Sequence, residues 1–143
     1  MRIGINVSFL RKPGTGIGQV STHFLEEIVK LSSTSQNAEY FLYTEEALHL
    51  DFPLPSNYTV RNFLPFWKRD DLVRKWLWER QVAHRAKQDG CDEFLSLYQS
   101  ATVFPKTFKH VMVVHDLIPR LFPEYQGNIR QRWHWKAVER GIL

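Results

Sequence analysis

Cysteine occurs once in these 143 residues, at Cys91. A single thiol excludes an internal disulfide framework and a multi-cysteine zinc site, and it fits a reducing compartment. Long apolar runs are missing too: none approaches the roughly 18 residues of a membrane span. The opening Met1-Arg2-Ile3-Gly4-Ile5-Asn6-Val7 alternates, then meets the polar Arg11-Lys12-Pro13-Gly14 break too early for the apolar stretch of a signal peptide. Charge of one sign is scarce as well. With 19 Lys+Arg against 15 Asp+Glu the net is +4, compatible with an anionic ligand or surface without demanding nucleic acid. No internal repeat and no low-complexity segment interrupts the chain. The expectation is one cytoplasmic domain over residues 1–143, long enough to bury roughly 68% of its unfolded surface.

The hydrophobic pattern then supplies elements. Ile3, Ile5, Val7 and Phe9 recur with period two, a strand closed by Pro13-Gly14. From Ile17 the period changes: Ile17, Val20, Phe24, Ile28 and Leu31, with Leu25 beside them, share one helical face. Ser32 to Asn37 is a turn-forming cluster that ends this helix. Tyr40 to Thr44 and Tyr58 to Phe63 read as strands separated by a loop carrying Pro53 and Pro55. Asp70-Asp71 heads a second helix to about Lys87, where acidic residues complement the dipole. Glu93 to Tyr98 is a fourth strand. His110 to His115 is a fifth, with the continuous apolar middle of a strand covered on both faces. Pro119 and Pro123 should prevent regular structure until a last helix from about Gly127. This rhythm predicts a doubly wound, mostly parallel α/β sheet in the order 3-2-1-4-5, with right-handed crossovers and a crevice beyond the carboxyl ends of the first and fourth strands.

Two segments point at that crevice. Gly14-Thr15-Gly16-Ile17-Gly18 lies between a strand and a helix, where glycine permits close backbone approach and positive φ, and the helix start offers N–H groups to a phosphate. The same glycines would also serve a mere tight turn. The loop lacks the Gly-Lys-Ser/Thr of a Walker loop, since Gln19 follows Gly18. Gln19 also breaks the Gly-x-Gly-x-x-Gly of a dinucleotide fingerprint. Its glycines match a methyltransferase loop, but no carboxylate precedes it. The second segment is Val113-Val114-His115-Asp116-Leu117-Ile118-Pro119. His115 could bond a substrate hydroxyl or shuttle a proton, and Asp116 could orient its loop through backbone bonds; the bland alternative is a pair that caps a strand. The six histidines show no metal-ligand spacing. Cys91 reads as a packed thiol at a helix–strand junction.

Aromatic and basic residues interleave in the second helix (Trp67, Trp76, Trp78 with Arg74, Lys75, Arg80, Arg85) and in the last (Trp133, Trp135 with Arg130, Arg132, Lys136, Arg140). Such a mixture could serve single-stranded nucleic acid or an anionic membrane. The stronger reading packs the tryptophans inward, with Arg and Lys stems covering the edges.

Taken together, Met1 to Asn6, Gly14 to Gly18, Trp78-Glu79-Arg80-Gln81 and Val114-His115-Asp116-Leu117-Ile118-Pro119 with the trailing Phe122-Pro123-Glu124 resemble the N-terminal domain of the GT-B glycosyltransferases of family 4 (glycosyl transferases group 1). Order and spacing match along nearly the whole chain, and the histidine segment is the most specific part. The resemblance implies a Rossmann-like half of a GT-B fold. It further implies a retaining transferase that takes a nucleotide-sugar as donor substrate, usually without metal and with no other cofactor. Thr15, Gly16 and Ile17 would meet the donor diphosphate, and His115 would be the catalytic contact near the reacting sugar carbon. Asn6, Ser8 and Asp116 would belong to the acceptor side. The partners implied are a nucleotide-sugar, a glycan or lipid-linked acceptor and a C-terminal nucleotide-sugar domain, without nucleic acid. Peripheral contact with the inner face of the membrane is a further expectation.

Departures from the family pattern are specific. Many members have adjacent glycines where this chain has Thr15-Gly16, and a more regular loop where it has Ser96 to Ser100. The chain stops at Glu139 to Leu143 without a second domain, so the expectation is an isolated half with negligible transferase activity. The competing classes are a non-catalytic nucleotide-sugar or lipid-head-group binder, a partner subunit completing another chain, and a methyltransferase-like domain binding S-adenosylmethionine. The transferase expectation hangs on one geometric premise: the glycine turn and the imidazole must share one rim.

Overall fold

The computed structural model describes residues 1–32, 37–63, 69, 71–100 and 108–142. It is a Rossmann-like α/β fold whose single five-stranded sheet has the order β3-β2-β1-β4-β5, and every pairing is parallel. The strands are β1 (Arg2–Asn6), β2 (Glu39–Thr44), β3 (Tyr58–Asn62), β4 (Glu93–Ser96) and β5 (Lys109–Met112); the long helices are α1 (Gly16–Ser32), α2 (Leu72–Gln88) and α4 (Ile129–Ile142), with a single turn α3 (Ile118–Leu121) between them.

Alternation along the strands divides the core between two faces. On β2, Tyr40 and Leu42 join Ile5, Leu25 and Val29 under α1, whereas Phe41 and Tyr43 join Phe94, Trp78, Val82 and Ala86 under α2. Helices thus cover both sides, as an all-parallel sheet requires. The packing is close: a Cβ on Gly4 of β1 would stand 2.6 Å from the Phe94 ring of β4. Cys91 is buried at the turn between α2 and β4, with Tyr43 Oη 3.5 Å from its sulfur, and burial pushes the thiol pKa up. The packed-thiol expectation holds.

Several local expectations are corrected. The first strand ends at Asn6 rather than running to Phe9. There the Asn6 side-chain oxygen accepts the Ser8 N–H at 3.2 Å and turns the chain into a 3-10 helix, Ser8–Arg11. Helix α1 buries a face rotated from the expected one: Gly18, Ser21, Leu25, Val29 and Ser32 are inside, and Val20 and Leu31 are exposed. Small residues decide this. Ser21 satisfies its hydroxyl on the Ile17 carbonyl (2.8 Å), so it can lie against the sheet without an orphaned polar group.

Strand β5 is the larger correction. It is a four-residue edge strand with alternating burial and an exposed Val111, not a strand from His110 to His115 covered on both faces. Its apolar run leaves the sheet after Met112, held by the Val113 N–H on the Ser96 carbonyl at 2.9 Å. The prolines do not abolish regular structure either: Pro119 and Pro123 open the turn α3 and a 3-10 helix, Pro123–Gln126. Proline suits a first turn, where its missing N–H has no partner to lose. Asp71 caps α2, accepting the Val73 and Arg74 N–H groups at 3.0 Å each. Asp70, Trp67 and most of the Ser32 to Asn37 cluster lie outside the described residues.

Candidate functional site

In a parallel sheet every strand leaves on the same side, so the segments after β1, β4 and β5 gather on one edge. The chain order reverses between β1 and β4, and a crevice opens at such a switch point. Both candidate segments lie on this edge: the glycine turn after β1 and the histidine segment after β5.

Thr15 organises the first. Its N–H and its hydroxyl both donate to the Lys12 carbonyl (3.0 and 2.9 Å), and the hydroxyl oxygen accepts the Gly18 N–H at 3.1 Å. That is an N-cap, and it uses the third helical amide while the Gly16 and Ile17 N–H groups meet no acceptor among the described residues. The glycines have different roles from those expected. Among the described residues only Gly90 and Gly127 have positive φ, so the turn does not use that freedom. Gly18 is required for contact: a Cβ there would lie 2.0 Å from the Lys12 carbonyl oxygen. A Cβ on Gly16 would meet nothing within 4 Å, so the turn leaves room beside this residue.

His115 and Asp116 are exposed, and each is tied to the end of β4. His115 Nε2–H donates to the Leu97 carbonyl at 2.6 Å, which leaves Nδ1 as the remaining ring nitrogen. One step on, Gln99 Nε2 donates to the Asp116 carbonyl at 3.1 Å, and the Asp116 carboxylate accepts the Ile118 N–H at 2.7 Å. Asp116 therefore shapes its own loop, as expected.

Asn6 and Ser8, expected on the acceptor side, are 1% and 3% exposed. Asn6 Nδ2 donates to Tyr98 Oη at 2.9 Å, and its oxygen accepts the Ser8 N–H (3.2 Å) and Trp78 Nε1–H (3.3 Å). These residues form a buried polar cluster at the carboxyl end of β1, and burial keeps the Tyr98 phenol protonated.

The sequence did not single out the charged groups packed around this cluster. Lys75 donates to the Gln99 carbonyl at 2.8 Å and places its ammonium 4.7 Å from the Tyr98 ring centre. Burial lowers its pKa, opposed by the fully buried Glu79 carboxylate 4.0 Å away. Glu45, buried just past β2, is held by Arg74 through Nε (2.8 Å) and Nη2, with Arg11 Nε at 3.5 Å. The i,i+4 spacing of Lys75 and Glu79 was a readable signal; the pairing of Glu45 with Arg74 across 29 positions was not.

A depression of about 510 Å³ opens beside the 3-10 helix, between Leu10, Arg11 and Thr22 on one side and the loop from Glu46 to Phe52 on the other. Its walls include neither Gly16 nor His115. No cluster of His, Cys, Asp and Glu suited to a metal ion occurs among the described residues. In comparisons with known proteins, no family model matches the chain and no curated protein matches it.

Proposed function

We propose that this chain is the N-terminal, acceptor-side half of a retaining glycosyltransferase of GT-B organisation, moving a sugar from a nucleotide-sugar to a glycan or lipid-linked acceptor. The observation that carries the reading is the presence on one sheet edge of an open, Thr15-capped helix start and a histidine with one nitrogen already bonded. The Gly16 and Ile17 amides, at the positive end of α1, suit the oxygens of a diphosphate. Negative charge grows on that diphosphate as the sugar bond breaks, so oriented amides there favour the transition state over the ground state. At His115 the Leu97 carbonyl holds the Nε2 proton, and in that tautomer of the imidazole Nδ1 is an acceptor for a sugar hydroxyl. The exposed Leu121, Phe122 and Tyr125, directly after this segment, suit a second body that closes over the edge and completes the donor site. The chain alone then turns over negligibly.

The test is an amide NMR titration with uridine and guanosine diphosphate sugars, with S-adenosylmethionine as the control. Selective shifts at Gly16, Ile17 and the His115 segment are expected, and Gly16→Leu should abolish them without unfolding the chain. Shifts with S-adenosylmethionine alone, no response to any nucleotide-sugar, or robust turnover by these residues alone would each refute the proposal. The exposed row also suits a non-catalytic partner subunit, which would bind another chain yet leave the Gly16 amide unmoved by nucleotide-sugars.

A further inference from the structure

The tryptophans divide. Trp78 is 1% exposed and packs in the core, but Trp76 is 44% and Trp133 is 66% exposed, against the expectation that they pack inward. The two exposed indoles line a mostly apolar groove of about 480 Å³ between the start of α2 and α4, together with Val73 and Arg130. Ile129, also exposed, continues this surface along α4. Exposed indoles gathered with aliphatic side chains and rimmed by charge form a surface suited to an interaction.

Its rim says what kind. The Arg80 guanidinium lies 4.1 Å from the Trp76 ring centre, and the Lys136 ammonium lies 5.6 Å from that of Trp133. Arg130 and Arg132 are exposed on the same helix as Trp133. Of the carboxylates on neighbouring elements, Asp71 is engaged in capping α2, Glu139 is half-buried, and the exposed Glu124 lines a depression beside Arg132 and Lys136, leaving the cations in excess. A second copy of the chain would bring these cations against themselves. Nucleobases would need ring faces that Arg80 and Lys136 already cover. A cation at the level of each indole, with apolar groups between, matches instead a layer in which phosphates overlie an apolar boundary.

We propose that this α2–α4 face docks on an anionic membrane surface, with Trp76 and Trp133 seated at the boundary between headgroups and acyl chains and Arg80, Arg130, Arg132 and Lys136 on lipid phosphates. The proposal stands apart from the transferase reading, because none of these residues belongs to the glycine turn or the histidine segment.

The experiment is co-sedimentation of the full chain with phosphatidylcholine vesicles, with and without phosphatidylglycerol, across a salt series. Quenching of tryptophan fluorescence by brominated lipid gives the depth of insertion. Binding that requires phosphatidylglycerol and weakens with salt is expected, and Arg130→Glu with Lys136→Glu should lower affinity at least fivefold per site. Trp76→Ser with Trp133→Ser, both at exposed positions, should abolish quenching while thermal unfolding stays cooperative. Overturning results are undiminished binding and quenching in the tryptophan variant, no lipid dependence, or tighter binding to an oligouridine than to vesicles. Complete competition by inorganic phosphate or a dimer that shields both indoles would overturn it equally.

Discussion

The imidazole of His115 donates its Nε2 proton to the backbone carbonyl of Leu97 at 2.6 Å, joining the segment after the edge strand to the end of β4. Beside it, Gln99 holds the Asp116 carbonyl, and Lys75 holds the backbone of Gln99. The exposed histidine is thus fixed by its chain neighbours and by α2, although no strand carries it.

That arrangement predicts the tautomer. Long-range nitrogen–proton NMR at neutral pH should show His115 with its proton on Nε2, because a carbonyl oxygen can only accept. Gln99→Ala should broaden the amides from His115 to Ile118 while costing about 1 kcal/mol of stability, the worth of one hydrogen bond.

Gly18 and Gly16 should respond oppositely to alanine. At Gly18 the new methyl would meet the Lys12 carbonyl at 2.0 Å, so the start of α1 must shift; a loss of about 3 kcal/mol is expected. At Gly16 the space is open, and alanine should stabilise by about 0.5 kcal/mol through the unfolded chain. Urea unfolding of both variants measures the difference.

Asn6→Ala should be among the most damaging polar substitutions. It strips the partner from Trp78 Nε1–H and from the Ser8 N–H, both buried, and removes the donor to Tyr98. Each buried group left unsatisfied costs about 1–3 kcal/mol, so a total of several is expected in chemical denaturation. Asn6→Asp should not rescue, since it lacks the amide donor and adds a buried charge.

Stability should fall as pH drops below about 6.5. Burial holds His110 at about 4, and burial with the nearby Lys75 charge holds His134 at about 4. Both folded values lie below the unfolded one near 6.5, so between these limits the unfolded chain binds more protons and is favoured by acid. Thermal melts from pH 7 to 5 should show a falling midpoint, and His110→Gln with His134→Gln should flatten that slope.

Much of the architecture was legible because it rests on local periodicity. Period-two and helical spacings alternate along the chain, and parallel strands joined by helices must all exit on one edge, so Gly16 and His115 fall on the same side. Other features depended on neighbours distant in sequence. His110 to His115 read as one strand covered on both faces because an apolar run does not show what lies beside it. Along the run from Ile17 to Leu31, Leu25 is buried and Phe24 and Ile28 pack against the core, but Val20 and Leu31 stay outside because Gly18 and Ser21 take the close contact.

The sequence by itself determined the element order, the parallel sheet and the kinds of groups available at its carboxyl edge, since these follow from hydrophobic spacing and turn chemistry. Tertiary structure decided which of them stay accessible. Tyr98 and Trp78 close over Asn6, Leu97 takes the His115 proton, and Trp76 and Trp133 remain outside while Trp78 fills the core. A side chain's type sets what it can bond, but its surroundings are fixed only when segments far apart in the chain pack together.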